Sequence, residues 1–120
     1  MLWKKEKPNF PEVEFDGERY YVVSIKDLAN LDGYKVKFKG VVEDKPEVIY
    51  YAAGWPWSIS SRIIEEDHGH MTVFRISGYE VRFKGVALVR KGEKVVIYGK
   101  IKDGCVEARV IEGQYAIFKS

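Results

Sequence analysis

The sequence predicts an all-β domain, a barrel or sandwich of short strands, and three observations carry that expectation. Apolar and polar residues alternate with period two through much of the chain, the pattern of half-buried strands. Turn-forming clusters at Asp16-Gly17, Asp67-His68-Gly69, Lys91-Gly92-Glu93 and Asp103-Gly104 separate the apolar runs. A single stretch has helical spacing, so no helix-strand alternation points to a parallel sheet.

In chain order, Val13 to Val23 reads as a hairpin, with Asp16-Gly17 supplying the two positive-φ positions of a type I′ turn and Glu14 facing Arg19 as an ion pair. Ser24 and Asp27 stand at capping-box spacing, Ile25, Leu28 and Ala29 share one helical face, and Gly33 suits the left-handed residue after a helix. From Tyr34 the period becomes two. Tyr34, Val36 and Phe38 point inward, Lys35, Lys37 and Lys39 outward, and Gly40 marks a bend. GYEVRFKGV at 78–86 nearly repeats GYKVKFKGV at 33–41, with Tyr79, Val81 and Phe83 inward and Glu80, Arg82 and Lys84 outward. Each copy is followed by a lysine-bearing turn and an apolar run. Shared strand patterning explains this more simply than duplication. Further strands are expected at 59–66, 70–76, 94–101 and 105–112.

Composition narrows the function classes. At 120 residues the chain suits one domain. We expect 1–33 to form a hairpin and helix packed on a barrel core of 34–112. With 46% hydrophobic and 32% charged residues it reads as a soluble, cytoplasmic protein, and no run reaches the roughly 20 apolar residues of a membrane helix. MLWKKEKP at the start lacks the apolar stretch of a signal peptide, unless an anchor once preceded it. Amides are confined to Asn9, Asn30 and Gln114, and Thr72 is the lone threonine, while Lys, Glu, Val, Ile and Tyr abound. This bias resembles that of hyperthermophile proteins and suggests an archaeal source.

From Ser24 to Glu112 the order of parts resembles the OB-fold domains of archaeal nucleic-acid-binding proteins, including the tRNA-anticodon-like group. SIKDLANLDGYKVKFKGVV looks like the entry into a bent first strand, IIEEDHGHMTV like the hairpin of strands two and three, and KGEKVVIYGKIKDGCVEARVIE like strands four and five. Two departures stand out. SGYEVRFKGVALV reads as strand where such folds usually carry a helix, and the loop EVIYYAAGWPWSIS is long and aromatic. The resemblance implies an OB-like Greek-key barrel whose ligand meets the face of strands two and three.

Candidate binding residues follow. Trp55 and Trp57 are either stacking platforms for bases or a plug in the barrel mouth. Tyr98 is a further outward aromatic, with Arg62 and Arg75 as phosphate partners. Lys35, Lys37 and Lys39, with Arg82 and Lys84, either track a phosphate backbone or form a solvated outer face. A net charge of +2 means that patterning, not total charge, must supply any electrostatic footprint. His68 and His70 flank Gly69, but no further His or Cys ligand accompanies them, and Cys105 has no nucleophile signature. Neither metal, cofactor nor catalysis is expected. The leading function is non-enzymatic binding of single-stranded RNA or DNA. The rival is a protein-interaction module, the soluble part of a larger or membrane-associated complex, that meets its partner through the loop of Trp55 and Trp57.

Overall fold

Three two-residue turns dictate which strands are antiparallel neighbours. Asp16-Gly17, Ser77-Gly78 and Asp103-Gly104 hold both central residues at positive φ (54° and 83°, 49° and 84°, 51° and 79°). That is the requirement of a type I′ turn, whose twist matches the strands it joins. The computed structural model describes residues 9–51 and 69–120. Its strands are β1 (Glu12–Phe15), β2 (Glu18–Val22), β3 (Lys35–Val41), β4 (Glu47–Tyr51), β5 (Gly69–Ile76), β6 (Tyr79–Lys84), β7 (Lys94–Lys102), β8 (Cys105–Glu112) and β9 (Ile117–Lys119).

The sheet runs β1-β2-β3-β7-β8-β6-β5-β4, with β9 on β8. The segment after β3 meets β5 where the Glu43 N–H donates to the Arg75 carbonyl at 2.8 Å, so the path from β3 through β7, β8, β6 and β5 returns to its own chain segment and closes a barrel. A bent first strand, a hairpin, and a last hairpin whose second strand (β8) runs parallel to β6 make this the Greek-key layout of an OB-like fold. Val36, Phe38, Phe74, Ile76, Val81, Phe83, Ile97 and Val106 fill the interior, none more than 2% exposed. Gly40 faces the same core. A Cβ there would stand 2.3 Å from Ile76 Cγ2, so glycine lets β3 cross the barrel at close range.

The expected pairing of 59–66 with 70–76 is replaced. Residues 59–66 lie outside the described segments, and β5 has both edges occupied, by β4 from Glu47↔Val73 to Tyr51↔Gly69 and by β6 from Met71↔Lys84 to Ile76↔Tyr79. The second copy of the repeated string is therefore barrel strand three itself. Its Gly78 belongs to a turn with Ser77. The two copies share burial, with Val36, Phe38, Val81 and Phe83 at 1% exposure or less, but not position. β3 pairs antiparallel with β7, and β6 pairs parallel with β8.

Where a helix often joins strands three and four, residues 85–93 cross without regular structure. Ala87 and Val89 turn in, and two buried polar side chains pin the crossing. The Thr72 hydroxyl, fully buried, donates to the Gly85 carbonyl at 2.7 Å and accepts the Ala87 N–H at 3.0 Å. The Glu93 carboxylate, 7% exposed, accepts the N–H of Arg90 at 3.0 Å and of Gln114 at 2.8 Å.

The helical stretch is a 3₁₀ helix, Ile25–Asn30, burying Leu28. Ser24 donates its N–H (3.1 Å) and hydroxyl (2.9 Å) to the Asp27 carboxylate, whereas the Asp27 N–H goes to the Ser24 carbonyl. Gly33, at φ 88°, donates to the Ile101 carbonyl and ties this turn to β7. In the N-terminal hairpin Glu14 lies opposite Arg19 as expected, yet the guanidinium is 3.9 Å from the carboxylate of Glu12.

Two outcomes follow. Thr72→Val keeps the shape but strands the Gly85 carbonyl and Ala87 N–H, so chemical denaturation should show a loss of about 1–3 kcal/mol. The Ser24 N–H, and then its hydroxyl, hold the Asp27 carboxyl below its usual range. A lowered carboxyl contributes stability above its unfolded pKa and loses it as pH falls through the folded value. Ser24→Ala should therefore raise the Asp27 pKa in an NMR titration. Its stability deficit should shrink as the medium is acidified below the carboxylate range.

Candidate nucleic-acid interface

Cross-strand partners share a face, so the register identifies which outward side chains meet. One row crosses the barrel as Val73 (β5), Arg82 (β6), Glu107 (β8), Lys100 (β7) and Lys35 (β3). Lys84 stands beside it, opposite Met71. A bulge adds a further cation. Tyr98 faces Val110 and Gly99 faces Ala108, which leaves Arg109 as the extra residue of β8. Gly99 is required here, because a Cβ would stand 2.4 Å from the Glu107 carbonyl oxygen.

Of these residues, Arg82, Lys84 and Arg109 as cations, Glu107 as a carboxylate and Met71 line a surface cavity of about 420 Å³, together with Ala108 and Ser120. A smaller cleft of about 100 Å³ shares Glu107 and Arg109 and continues to Lys100, Lys35 and Glu18. Two of the cations are ion-paired. Lys35 contacts Glu18 and holds that carboxyl below its usual range, and Arg82 contacts Glu80, which raises the guanidinium pKa further. Among the described residues, Lys84, Lys100 and Arg109 have no carboxylate oxygen within 4.0 Å. The strip therefore offers cations that can exchange water for phosphate without first breaking an ion pair.

The remaining candidates disperse. β7 and β8 separate β3 from β6, so the lysines of β3 and the cations of β6 are not one comb. Lys35 reaches the strip. Lys37, half-buried, holds its ammonium 5.3 Å from the centre of the Tyr98 ring, and Lys39 lies opposite Val96, away from the groove. Arg75 sits beside Asp44, at 3.9 Å, and lines a different cavity with Lys45, Asp44, Glu47 and Glu80, where three carboxylates outnumber two cations. Trp55, Trp57, Arg62 and His68 lie outside the described residues.

Tyr98 requires correction as a stacking platform. It does point out of the barrel core, but the β1–β2 hairpin folds over that outer face and leaves the ring 4% exposed. Phe15 lies 4.5 Å from it between ring centres, and Tyr20 meets it edge-on at 5.3 Å. Val13, Val96 and Val110 complete this second cluster. Burial also raises the Tyr20 pKa. A base cannot stack on a face already covered by protein.

Sequence reading missed Lys100 and Arg109. Alternation marks both as outward, but only the parallel β6–β8 pairing brings them to Arg82 and Lys84. Among the described residues, no group of three or more His, Cys, Asp or Glu is placed to hold a metal ion, and no helix is long and apolar enough to cross a membrane.

No family model matches this chain, and no curated protein matches it. Two solved structures are similar in outline. One is the S. pombe Stn1-Ten1 complex, 19% identical, with 79% of this chain and 76% of that chain covered at a TM-score of 0.43. The other is the telomere capping protein Ten1 from Saccharomyces pombe, 20% identical, with 79% and 81% covered at a TM-score of 0.43. Neither supplies a ligand or a partner for this chain.

The burial of Tyr98 yields a measurable outcome. Tyr98→Ala should lower unfolding stability by about 3 kcal/mol, the scale of removing a buried aromatic ring. An exposed stacking residue would leave stability within about 0.5 kcal/mol of the parent.

Proposed function

We propose that this chain is a non-enzymatic OB-like module that binds single-stranded nucleic acid along the strip from Lys84 and Arg82 through Arg109 to Lys100. The observation carrying this reading is the groove of about 420 Å³ in which Arg82, Lys84 and Arg109 face one side-chain carboxylate, Glu107, with Ser120 also in the lining. Phosphates are held by the cations, and Met71 offers an apolar contact to a sugar or the edge of a base. Glu107 limits the affinity by keeping the local excess of positive charge small.

Gly69, two residues before Met71, is where the undescribed segment 52–68 rejoins the sheet. We assign base stacking to its Trp55 and Trp57, and a further phosphate contact to Arg62. Both assignments rest on chemistry and chain position alone. A second reading, a protein-interaction module, is favoured by Leu88 and Tyr115, 75% and 85% exposed, on either side of the Glu93 pin. Mutation of the groove separates the two.

Fluorescence anisotropy with labelled single-stranded RNA and DNA tests the first reading. Counting only the strip cations without an ion pair among the described residues, Lys84, Lys100 and Arg109, three phosphate contacts predict a log-log salt slope of about −2, at roughly 0.7 per neutralised charge. The Lys84→Ala, Arg109→Ala double variant should lower that slope by about 1.4, while Lys39→Ala, outside the groove, leaves it unchanged. Absence of binding at low salt by either nucleic acid at tens of micromolar, the order of weak nonspecific affinity, would sink the proposal. Unaltered binding by the double variant would move the interface elsewhere.

A further inference from the structure

The β1–β2 hairpin does more than cover Tyr98, because one of its own side chains reaches the basic strip. Tyr20 on β2 is 2% exposed, its ring edge-on to Tyr98 at 5.3 Å between centres. Among the described residues its hydroxyl has no hydrogen-bond partner. A buried phenol usually has one, since an unmet donor is costly away from water. The Tyr98 hydroxyl also lacks such a bond, but Tyr98 lines neither of the two clefts. Tyr20 does line one, the cleft of about 100 Å³ bordered by Glu18, Lys35, Lys100, Glu107 and Arg109. Burial raises the Tyr20 pKa first, and the charges that then act on it are those of Arg109, Glu18, Lys35 and Asp16. The first three of these side chains line the same cleft, so the hydroxyl end of the ring lies toward it.

We propose that this cleft is a subsite for a single phosphate group, with the Tyr20 hydroxyl donating to one oxygen and Lys100 and Arg109 supplying the charge. Its size and its charge select that ligand. The volume is far below the roughly 300–1,000 Å³ of pockets that take a whole small molecule, so the cleft suits one tetrahedral oxyanion and not a nucleoside. Of its five charged side chains, Glu18 and Lys35 neutralise each other, and Lys100 and Arg109 outnumber Glu107. A cationic or neutral ligand would leave that excess uncompensated. The two clefts share Glu107 and Arg109, so the subsite continues the groove toward the hairpin. It deepens the groove reading and rests on it only for the source of the phosphate, a nucleic-acid strand in place of the free ion.

Titration of the full chain with inorganic phosphate, followed by NMR against chloride at matched ionic strength, tests the subsite itself. Saturable shifts are expected at Tyr20, Lys100 and Arg109. Tyr20→Phe should weaken binding about tenfold or more, the scale of a hydrogen bond to a charged group. Glu107→Gln should strengthen it, because a like charge is removed. Without phosphate, Tyr20→Phe keeps the ring and should be at least as stable as the parent, since the lost hydroxyl strands no partner. Lys39→Ala, in the lining of neither cleft, is the control and should bind as the parent does. Absence of saturable shifts overturns the proposal. So does a Tyr20→Phe chain with parental affinity, the mark of a hydroxyl that only meets water, or one destabilised without phosphate, the mark of a bond inside the protein. Labelled strands with a 5′-phosphate, a 3′-phosphate or neither then identify the source. Equal weakening by Tyr20→Phe marks a phosphate within the strand, weakening confined to one phosphorylated strand marks its end, and both uphold the subsite. Strand binding without phosphate binding in the cleft leaves the groove reading standing and ends this one; phosphate binding without strand binding does the reverse.

Discussion

The close approach of β7 and β8 at Gly99 is the contact on which the rest of the outer surface depends. Backbone meets backbone there with no room for a side chain, and the register slips by one residue immediately beside it. The slip ejects Arg109 from the pairing and delivers it to the groove that Arg82 and Lys84 already border. The same tight crossing keeps β8 against β6, so that Glu107 lies between Arg82 and Lys100 instead of on an isolated strand. Without the bulge the groove would lose a cation and its shape together.

Closure imposes a second demand, met by polar side chains in the interior. The chain must cross the barrel end between β6 and β7 without a helix to satisfy its own backbone, and buried N–H and C=O groups are costly to leave unpaired. Thr72 supplies a donor and an acceptor through one hydroxyl, and Glu93 caps two N–H groups from segments distant in sequence. These residues look like binding or catalytic candidates by type and burial. Their hydrogen bonds are instead committed to the backbone, which is why the outer face, not the interior, carries the functional proposal.

The N-terminal hairpin changes the meaning of that outer face. A bare barrel would present Tyr98, Val96 and Val110 to solvent on β7 and β8, where an aromatic beside Lys37 resembles a base-stacking site. Folding Val13, Phe15 and Tyr20 over them converts the patch into a second small core. The proposed binding surface is thereby confined to the part of the barrel that the hairpin leaves open. That part holds the alternating cations of β6, β7 and β8.

Short-range physics made much of this legible from the amino-acid order. Asp16-Gly17 could be read as a type I′ turn and Asp103-Gly104 as a turn between strands, Val36, Phe38, Val81 and Phe83 as core, and Lys35, Arg82 and Lys84 as outward, because turn chemistry and two-residue alternation act between neighbours. The OB-like order of parts came from the resemblance of three strings to OB-fold domains, although Ser77-Gly78 was overlooked as a turn and β5 was given the wrong hairpin partner. Tertiary structure alone decided which outward residues meet. Alternation states that a side chain leaves the core, but not whether another element then covers it, as happens to Tyr98, or which strand lies alongside. The parallel β6–β8 contact joins residues whose strands are separated by β7 in sequence, and no local pattern encodes it. The groove of Arg82, Lys84 and Arg109 exists only because closing the barrel brings those strands side by side.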